Sequence, residues 1–303
     1  MPLSDNAAPS FELQGHSTES DGELSPQDTV LAAKQAGVEL FALTDHDSVS
    51  GIAEAADAAA RVALGFLTGV ELSVLDPVAA DLHICGYAFD PGNAALLAAL
   101  KHSREDRERR AAAMIEALQE SGWSVNHERL NARALAGKTI GRPHLAEAVT
   151  TEPGNAERLK REQLNDASEF LVAYLIEGKP GFREREAPSP AEAIALIHDA
   201  GGVAVWAHPF WDIDADAEVI ATLERFVGLG LDGVEAFYVT HTQAQTERLI
   251  RRAAELGLIT TGSSDFHGPN HPRFNRFRSF QTYGREPHLG RLLASQPQPG
   301  SLR

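Results

Sequence analysis

The 303-residue sequence has one cysteine, Cys85. A single thiol cannot build a disulfide framework or a cysteine-based zinc finger, and it suits a reducing cytoplasm. Basic residues are scarce beside acidic ones: 27 Lys and Arg against 43 Asp and Glu give a formal net charge of −16. That balance argues against holding duplex nucleic acid by phosphate neutralisation, so a polyanionic substrate would need positive charge gathered locally. No apolar run approaches the roughly 18–20 residues of a membrane span, and the opening MPLSDNAAPS lacks the basic and apolar regions of an export signal. No serine is flanked as Gly-x-Ser-x-Gly, and Rossmann and P-loop signatures are missing. The expectation is a cytoplasmic protein without a membrane partner. Its 43% hydrophobic content is enough for one large or two small domains with a real core.

From residue 11 onward, short β-rich runs alternate with Ala-rich amphipathic stretches, the pattern of βαβ units around a parallel sheet. Seven strands are predicted: FELQGH (11–16), VELFALT (38–44), FLTGVELSV (66–74), LHICGY (82–87), VAVWA (203–207), GVEAFY (233–238) and LITTGSS (258–264). Ser25-Pro26 and Ser189-Pro190 each supply an N-cap and an N1 proline, and Gly37, Gly201 and Gly257 stand where helices should stop. Between strands four and five the alternation fails, and residues 93–182 read as a helical insertion opening with a long segment near 94–121. The barrel is therefore expected over 11–92 and 183–285, with frayed ends at 1–10 and 295–303.

If the seven strands close into a barrel, their C-terminal ends and the loops that follow share one rim, where such barrels place their chemistry. Every strand delivers a His, Asp or Glu there: His16 and Asp21, then Asp45, His46 and Asp47, then Glu71, His83, His208, His241, and finally Asp265 and His267. A lone histidine at a strand end is usually structural, but six at or just past six strand ends is not a chance pattern for twelve histidines. Imidazoles and carboxylates without thiolate suit zinc, manganese, iron or similar divalent ions. Such ions would create a positive centre despite the net charge, as a phosphate substrate requires.

At this point the residues resemble the polymerase and histidinol phosphatase (PHP) family of metal-dependent phosphoesterases, from Phe11 to about Gly268. The resemblance rests on His16-Ser17 with Ser20-Asp21-Gly22, Thr44-Asp45-His46-Asp47, Gly69-Val70-Glu71, His83, Ala207-His208-Pro209 and Ser264-Asp265-Phe266-His267. Gly141-Arg142-Pro143-His144-Leu145-Ala146 and the Arg-rich helix before it are similar to the branch of nucleoside 3′,5′-bisphosphate phosphatases and 5′-to-3′ exoribonucleases. The resemblance implies an α/β fold, a distorted (β/α)7 barrel with a helical insertion, and two or three divalent ions (Mn, Zn or Fe). It implies one ion held by Gln14, His16, Glu71 and Asp265, a second by bridging Glu71 with His83 and His208, and a third by Asp21, His46 and His267. The family opens Asp-Leu-His-x-His-Ser, whereas this chain reads Glu12-Leu13-Gln14-Gly15-His16-Ser17. Gln14 would offer a weaker, harder carbonyl oxygen in place of an imidazole.

The chemistry so implied is hydrolysis of a phosphomonoester by a metal-bridging hydroxide at Glu71, with His241 as candidate general acid for the leaving hydroxyl. Arg142 is expected to clasp a second phosphate with its planar fork, with His144 beside it and Ser17 as a further substrate contact; the competing reading is that Arg142-Pro143-His144 merely begins a helix. Asp45 and Asp47 are expected to orient imidazoles. Arg104, Arg107, Arg109 and Arg110, interleaved with acids, read as a solvated, self-paired face. Arg273-Phe274-Asn275-Arg276-Phe277-Arg278 reads either as packing of its two phenylalanines or as a nucleobase contact. His102, His127, His198, His271 and His288 have no strand-end context. The expected substrate is a small phosphorylated molecule: the 3′-phosphate of a nucleoside 3′,5′-bisphosphate, with short RNA possible. The alternatives are a sugar or histidinol phosphate, or a catalytically weakened nucleotide-binding module.

Overall fold

The computed structural model describes residues 10–78, 81–135 and 140–293. Residues 1–9 and 294–303, where frayed ends are expected, lie outside them. The described residues form two compact units, one running to Ala99 and resuming at Ala187, the other Leu100–Glu186.

In the first unit, seven strands hydrogen-bond in chain order: β1 (Phe11–Glu12), β2 (Leu40–Leu43), β3 (Gly65–Leu75), β4 (Asp81–Tyr87), β5 (Val203–Trp206), β6 (Gly233–Tyr238) and β7 (Ile259–Ser263). The sheet nearly closes on itself, because the Leu13 amide donates to the Gly262 carbonyl at 3.3 Å and the His16 amide to the Phe266 carbonyl at 2.8 Å. The fold is thus a seven-stranded α/β barrel, as the sequence leads one to expect.

One strand departs from the all-parallel expectation. β4 runs antiparallel to both β3 and β5. The reason is connection length: only residues 76–80 separate β3 from β4, whereas a parallel crossover needs a dozen or more. Reversal turns the start of β4, rather than its end, toward the rim where the parallel strands finish. His83, the third residue of β4, reaches that rim for this reason.

The helices α1 (Pro26–Gln35) and α2 (Ile52–Arg61) cover one side of the sheet. Val30, Ala33, Ala55, Ala58 and Ala59 pack there with Phe41, Leu43, Phe266 and Phe277. The Ser25 side chain accepts the Asp28 amide at the start of α1, and Gly37, just past its end, takes the left-handed φ of 81°. The long helix α3 (Ala94–Glu120) leads into the second unit, which continues with α4 (His127–Leu135), α5 (Arg142–Thr150), α6 (Ala156–Glu162) and α7 (Ala167–Tyr174). That unit has its own core of Met114, Leu118, Trp123, Leu145, Val149 and Phe170. On α3 the charges pair among themselves as expected, for instance Lys101 with Glu105 at 3.7 Å and Arg109 with Asp106 at 3.4 Å.

The chain returns through α8 (Pro190–Asp199), where Ser189 and Glu192 form a reciprocal capping box. The single turn α9 (Pro209–Asp212), α10 (Asp216–Val227) and α11 (Gln243–Leu256) complete the unit. Among the described residues no helix is long and apolar enough to cross a membrane.

Candidate metal centre

The sequence of β1 and its extension alternates with period two, so Phe11 and Leu13 share one face while Glu12, Gln14 and His16 share the other. Here the polar face points inward, and all three residues are buried. Glu12 accepts the Ser264 hydroxyl at 2.6 Å and the Ser264 amide at 2.8 Å, and it also accepts the Arg278 amide. His16 continues the same face at the rim.

Eight side chains from the loops and strand ends converge there. Glu71 lies at the middle of them: its Oε2 is 3.2 Å from His16 Nε2 and 3.5 Å from His46 Nδ1, and its Oε1 is 3.2 Å from His83 Nδ1 and 3.0 Å from His208 Nε2. Asp265 Oδ1 approaches His16 Nε2 at 3.0 Å and His267 Nδ1 at 3.6 Å. Asp21 lies between His16, His46 and His267 at 3.6–3.9 Å. The His16 ring is stacked between those of His46 and His267, at 4.6 and 4.2 Å between centroids. Three overlapping donor groups result: His16, Asp21, His46 and His267; His46, Glu71 and His83; and His16, Glu71 and Asp265.

Local backbone makes this convergence possible. Gly22 lets the 16–22 loop fold back, since a Cβ there would lie 2.4 Å from the His16 carbonyl oxygen. Gly69, within β3, lets that strand lie close against the end of β2, since a Cβ there would lie 2.5 Å from the Leu43 carbonyl oxygen. His208, Asp265 and Asp47 adopt positive φ of 30°, 53° and 49°. Such strained backbone persists only where surroundings over-determine it, and it clusters at functional sites.

The electrostatics are those of a cation site. Burial opposes ionisation of Glu71, yet the imidazoles of His46 and His83 outweigh it and hold the carboxyl well below its usual pKa. Burial likewise pulls His16 down, and Asp265 and Glu71 more than offset it, leaving the imidazole well above its usual value. Both ring nitrogens of His16, Nδ1 of His208 and Oδ1 of Asp265 are buried without an aligned hydrogen bond. Buried polar atoms need partners. Nitrogen and carboxylate donors in this arrangement fit divalent metal ions.

Other sequence-predicted residues fall differently. Gln14 is buried beside the cluster with its Nε2 donating to Glu71 Oε2 at 2.8 Å and its Oε1 3.5 Å from the Ser263 hydroxyl. Ser17 does not face a substrate space: it is buried, and its amide and hydroxyl both donate to Asp45 at 2.7 Å. Asp45 also accepts the Ser20 hydroxyl at 2.8 Å, so it ties down the 16–22 loop instead of orienting an imidazole. Asp47 accepts the Ser73 amide at 3.0 Å. His241 is buried, with Nδ1 3.2 Å from the Ala236 carbonyl, and burial lowers its pKa to about 4. A neutral imidazole whose one proton faces a carbonyl is poorly suited to act as a general acid. Arg142 and His144 belong to the second unit, where His144 Nδ1 accepts the Gly141 amide at 3.0 Å in the first turn of α5.

Two residues beside the cluster, Asp212 and Tyr238, escape the sequence reading, and a third, His271, is set aside there for want of a strand-end context. Asp212 Oδ2 lies 3.2 Å from His208 Nδ1 across the single turn of α9, an i,i+4 spacing visible in the sequence once Pro209 is read as a helix start. The Tyr238 hydroxyl donates to Asp265 Oδ2 at 2.8 Å. His271, four residues past His267, lies 5.1 Å from it between ring centroids.

Comparison with known proteins follows the same line. Residues 12–174 match the model of the PHP domain. The chain is 35% identical over 259 residues to a 5′-3′ exoribonuclease of Haemophilus influenzae, covering 86% of this chain and 90% of that one. It is 34% identical over 260 residues to a 3′,5′-nucleoside bisphosphate phosphatase of Chromobacterium violaceum, covering 86% and 87%. A solved amidohydrolase from Chromobacterium violaceum, with bound sulfate and no metal, superposes with a TM-score of 0.77 at 31% identity over 97% of this chain and 99% of that one. The PHP match stops before β5, and the structure brings His208, Asp265 and His267 from beyond it to the residues within it. The chain belongs to the PHP domain family and is a metal-dependent phosphoester hydrolase.

Proposed function

We propose that this chain hydrolyses a nucleotide phosphomonoester, with the 3′-phosphate of a nucleoside 3′,5′-bisphosphate as the best substrate. The observation that carries the reading is the carboxylate of Glu71 held among four imidazoles within 3.5 Å, in a chain 34% identical to a bisphosphate phosphatase. The residues that would hold the metal ions are His16, Asp21, His46, Glu71, His83, His208, Asp265 and His267. When bound, two or three divalent ions would supply Lewis acidity toward the phosphoryl oxygens and lower the pKa of water.

The chain's own residues then have defined tasks. Glu71 links the two sides of the site, since its two oxygens face different histidine pairs. Asp212 and Tyr238 hold His208 and Asp265 in place. Gln14 acts through Glu71, which its amide nitrogen faces. The 35% identity to a 5′-3′ exoribonuclease favours short RNA as a second substrate.

The test is metal content of protein purified without chelator, paired with phosphate release from adenosine 3′,5′-bisphosphate with and without added Mn²⁺. Two or three ions per chain with release of the 3′-phosphate support the reading. No release, even when Gln14→His brings the metal content to three, would sink it in favour of a nucleotide-binding module. Release from histidinol phosphate or a sugar phosphate alone would move the substrate to that class.

A further inference from the structure

Among the described residues only six large hydrophobic side chains are well exposed, and the one aromatic is Trp211, 44% exposed. Trp123 and Trp206, the other tryptophans, are buried. Trp211 sits on α9, three residues after His208, on the barrel unit. Its ring meets the edge of Phe274 at 5.5 Å and lies 6.5 Å from Tyr238. The Arg273 guanidinium stands 5.1 Å from its centroid. Tyr238 in turn lies 5.3 Å from the His208 ring and donates to Asp265. Phe274 stacks on His271 at 5.1 Å and 16°. A single aromatic ring therefore separates exposed Trp211 from the metal-site donors.

We propose that Trp211, with Arg273 and Phe274, is the stacking platform for the substrate's nucleobase. This rests on the nucleotide reading above and adds to it a base subsite. A nucleotide carries its base one sugar away from its phosphate, and this platform lies one ring away from where phosphate would be held. The indole supplies a large π-face, and Arg273 adds a cation that strengthens stacking against a base. Stacking reads ring area rather than hydrogen-bonding edges, so the enzyme tolerates all four bases and favours purines by their larger face.

The test compares wild type, Trp211→Ala and Trp211→Phe on adenosine 3′,5′-bisphosphate and on the same ribose bisphosphate without its base. Loss of one base–aromatic stack raises KM about 5- to 150-fold. The expected result is that rise in Trp211→Ala with kcat held, most of it recovered in Trp211→Phe, and no change on the base-free sugar. An unchanged KM for the nucleotide, or an equal rise on the base-free sugar, overturns the platform. Quenching of tryptophan fluorescence by adenosine 3′,5′-bisphosphate, measured without turnover, separates the two claims. Quenching that disappears in Trp211→Ala supports the platform even if no phosphate is released, and absence of quenching in the wild type refutes it even if phosphate is released.

Discussion

Gln14→Leu tests how the residue standing in place of a histidine contributes to the site. Its amide nitrogen donates to Glu71 Oε2 at 2.8 Å, it is buried, and its oxygen faces the Ser263 hydroxyl. Leucine fills nearly the same volume, so the change removes a donor without opening a large void. A hydrogen bond to a charged group contributes about 1.5–3 kcal/mol. At about 2–4 °C per kcal/mol for a unit of this size, chelator-treated Gln14→Leu should melt about 3–12 °C below wild type. Metal affinity, followed by calorimetric titration with Mn²⁺, should fall about 10- to 100-fold, as for other partners of metal ligands, while the number of bound ions stays constant. If Gln14 instead offers its oxygen to a metal, the variant loses one ion per chain and the chelator-treated protein melts as wild type does. That pattern would refute the reasoning from its hydrogen bond.

Tyr238→Phe removes the hydroxyl that donates to Asp265 and should weaken Mn²⁺ binding about 10- to 100-fold with little change in fold, read by the same titration and by circular dichroism. Arg225→Met strips the buried Asp76 carboxylate of a two-pronged partner at 2.6 and 2.8 Å while the Val78 amide still donates to it, and unfolding in urea should show a loss of about 1–3 kcal/mol. Burial raises the Glu12 carboxyl to about 8, so the folded state holds a proton there that the unfolded state has shed above the ordinary value of 4.5. The stability this proton confers is full below pH 4.5 and drains away as pH climbs to about 8, by at most about 1.4 kcal/mol per pH unit. The change in melting temperature of chelator-treated protein from pH 5 to 8 should therefore shift upward in Glu12→Gln relative to wild type, since the variant lacks this proton; an identical pH dependence in the two proteins would contradict the assignment.

Much of this architecture is legible in the sequence because its signals are local. β-rich runs mark all seven strands, serine and proline mark the helix starts, and histidines or acids at strand ends mark the rim. The direction of β4 is not written in its composition, since alternation has no polarity; the short 76–80 link carries that information. The roles of Ser17 and Asp45 depend on a pairing across 28 residues, which no motif discloses. His241 lies at the expected place in the chain, but whether it can give up a proton depends on burial by groups far along the sequence. Trp211 sits on the single turn α9 and His271 in a loop, where neighbours are chosen by backbone turns rather than by periodicity.

The near-closure of β1 on β7 bears on how this molecule comes into being. Gln14 and Ser263, which face each other across that seam, are 249 residues apart. A contact so distant in sequence makes for slow folding, because chain entropy must be spent before it is rewarded. During synthesis, Glu12, Gln14 and His16 emerge some 249 residues before the partners they meet at Ser263, Ser264 and Asp265. β1 thus carries its inward polar face unmatched until β7 has been made. A cation bridging His16 and Asp265, as proposed above, could be captured only once β7 has joined β1, so it would report a closed barrel and help to keep that seam shut.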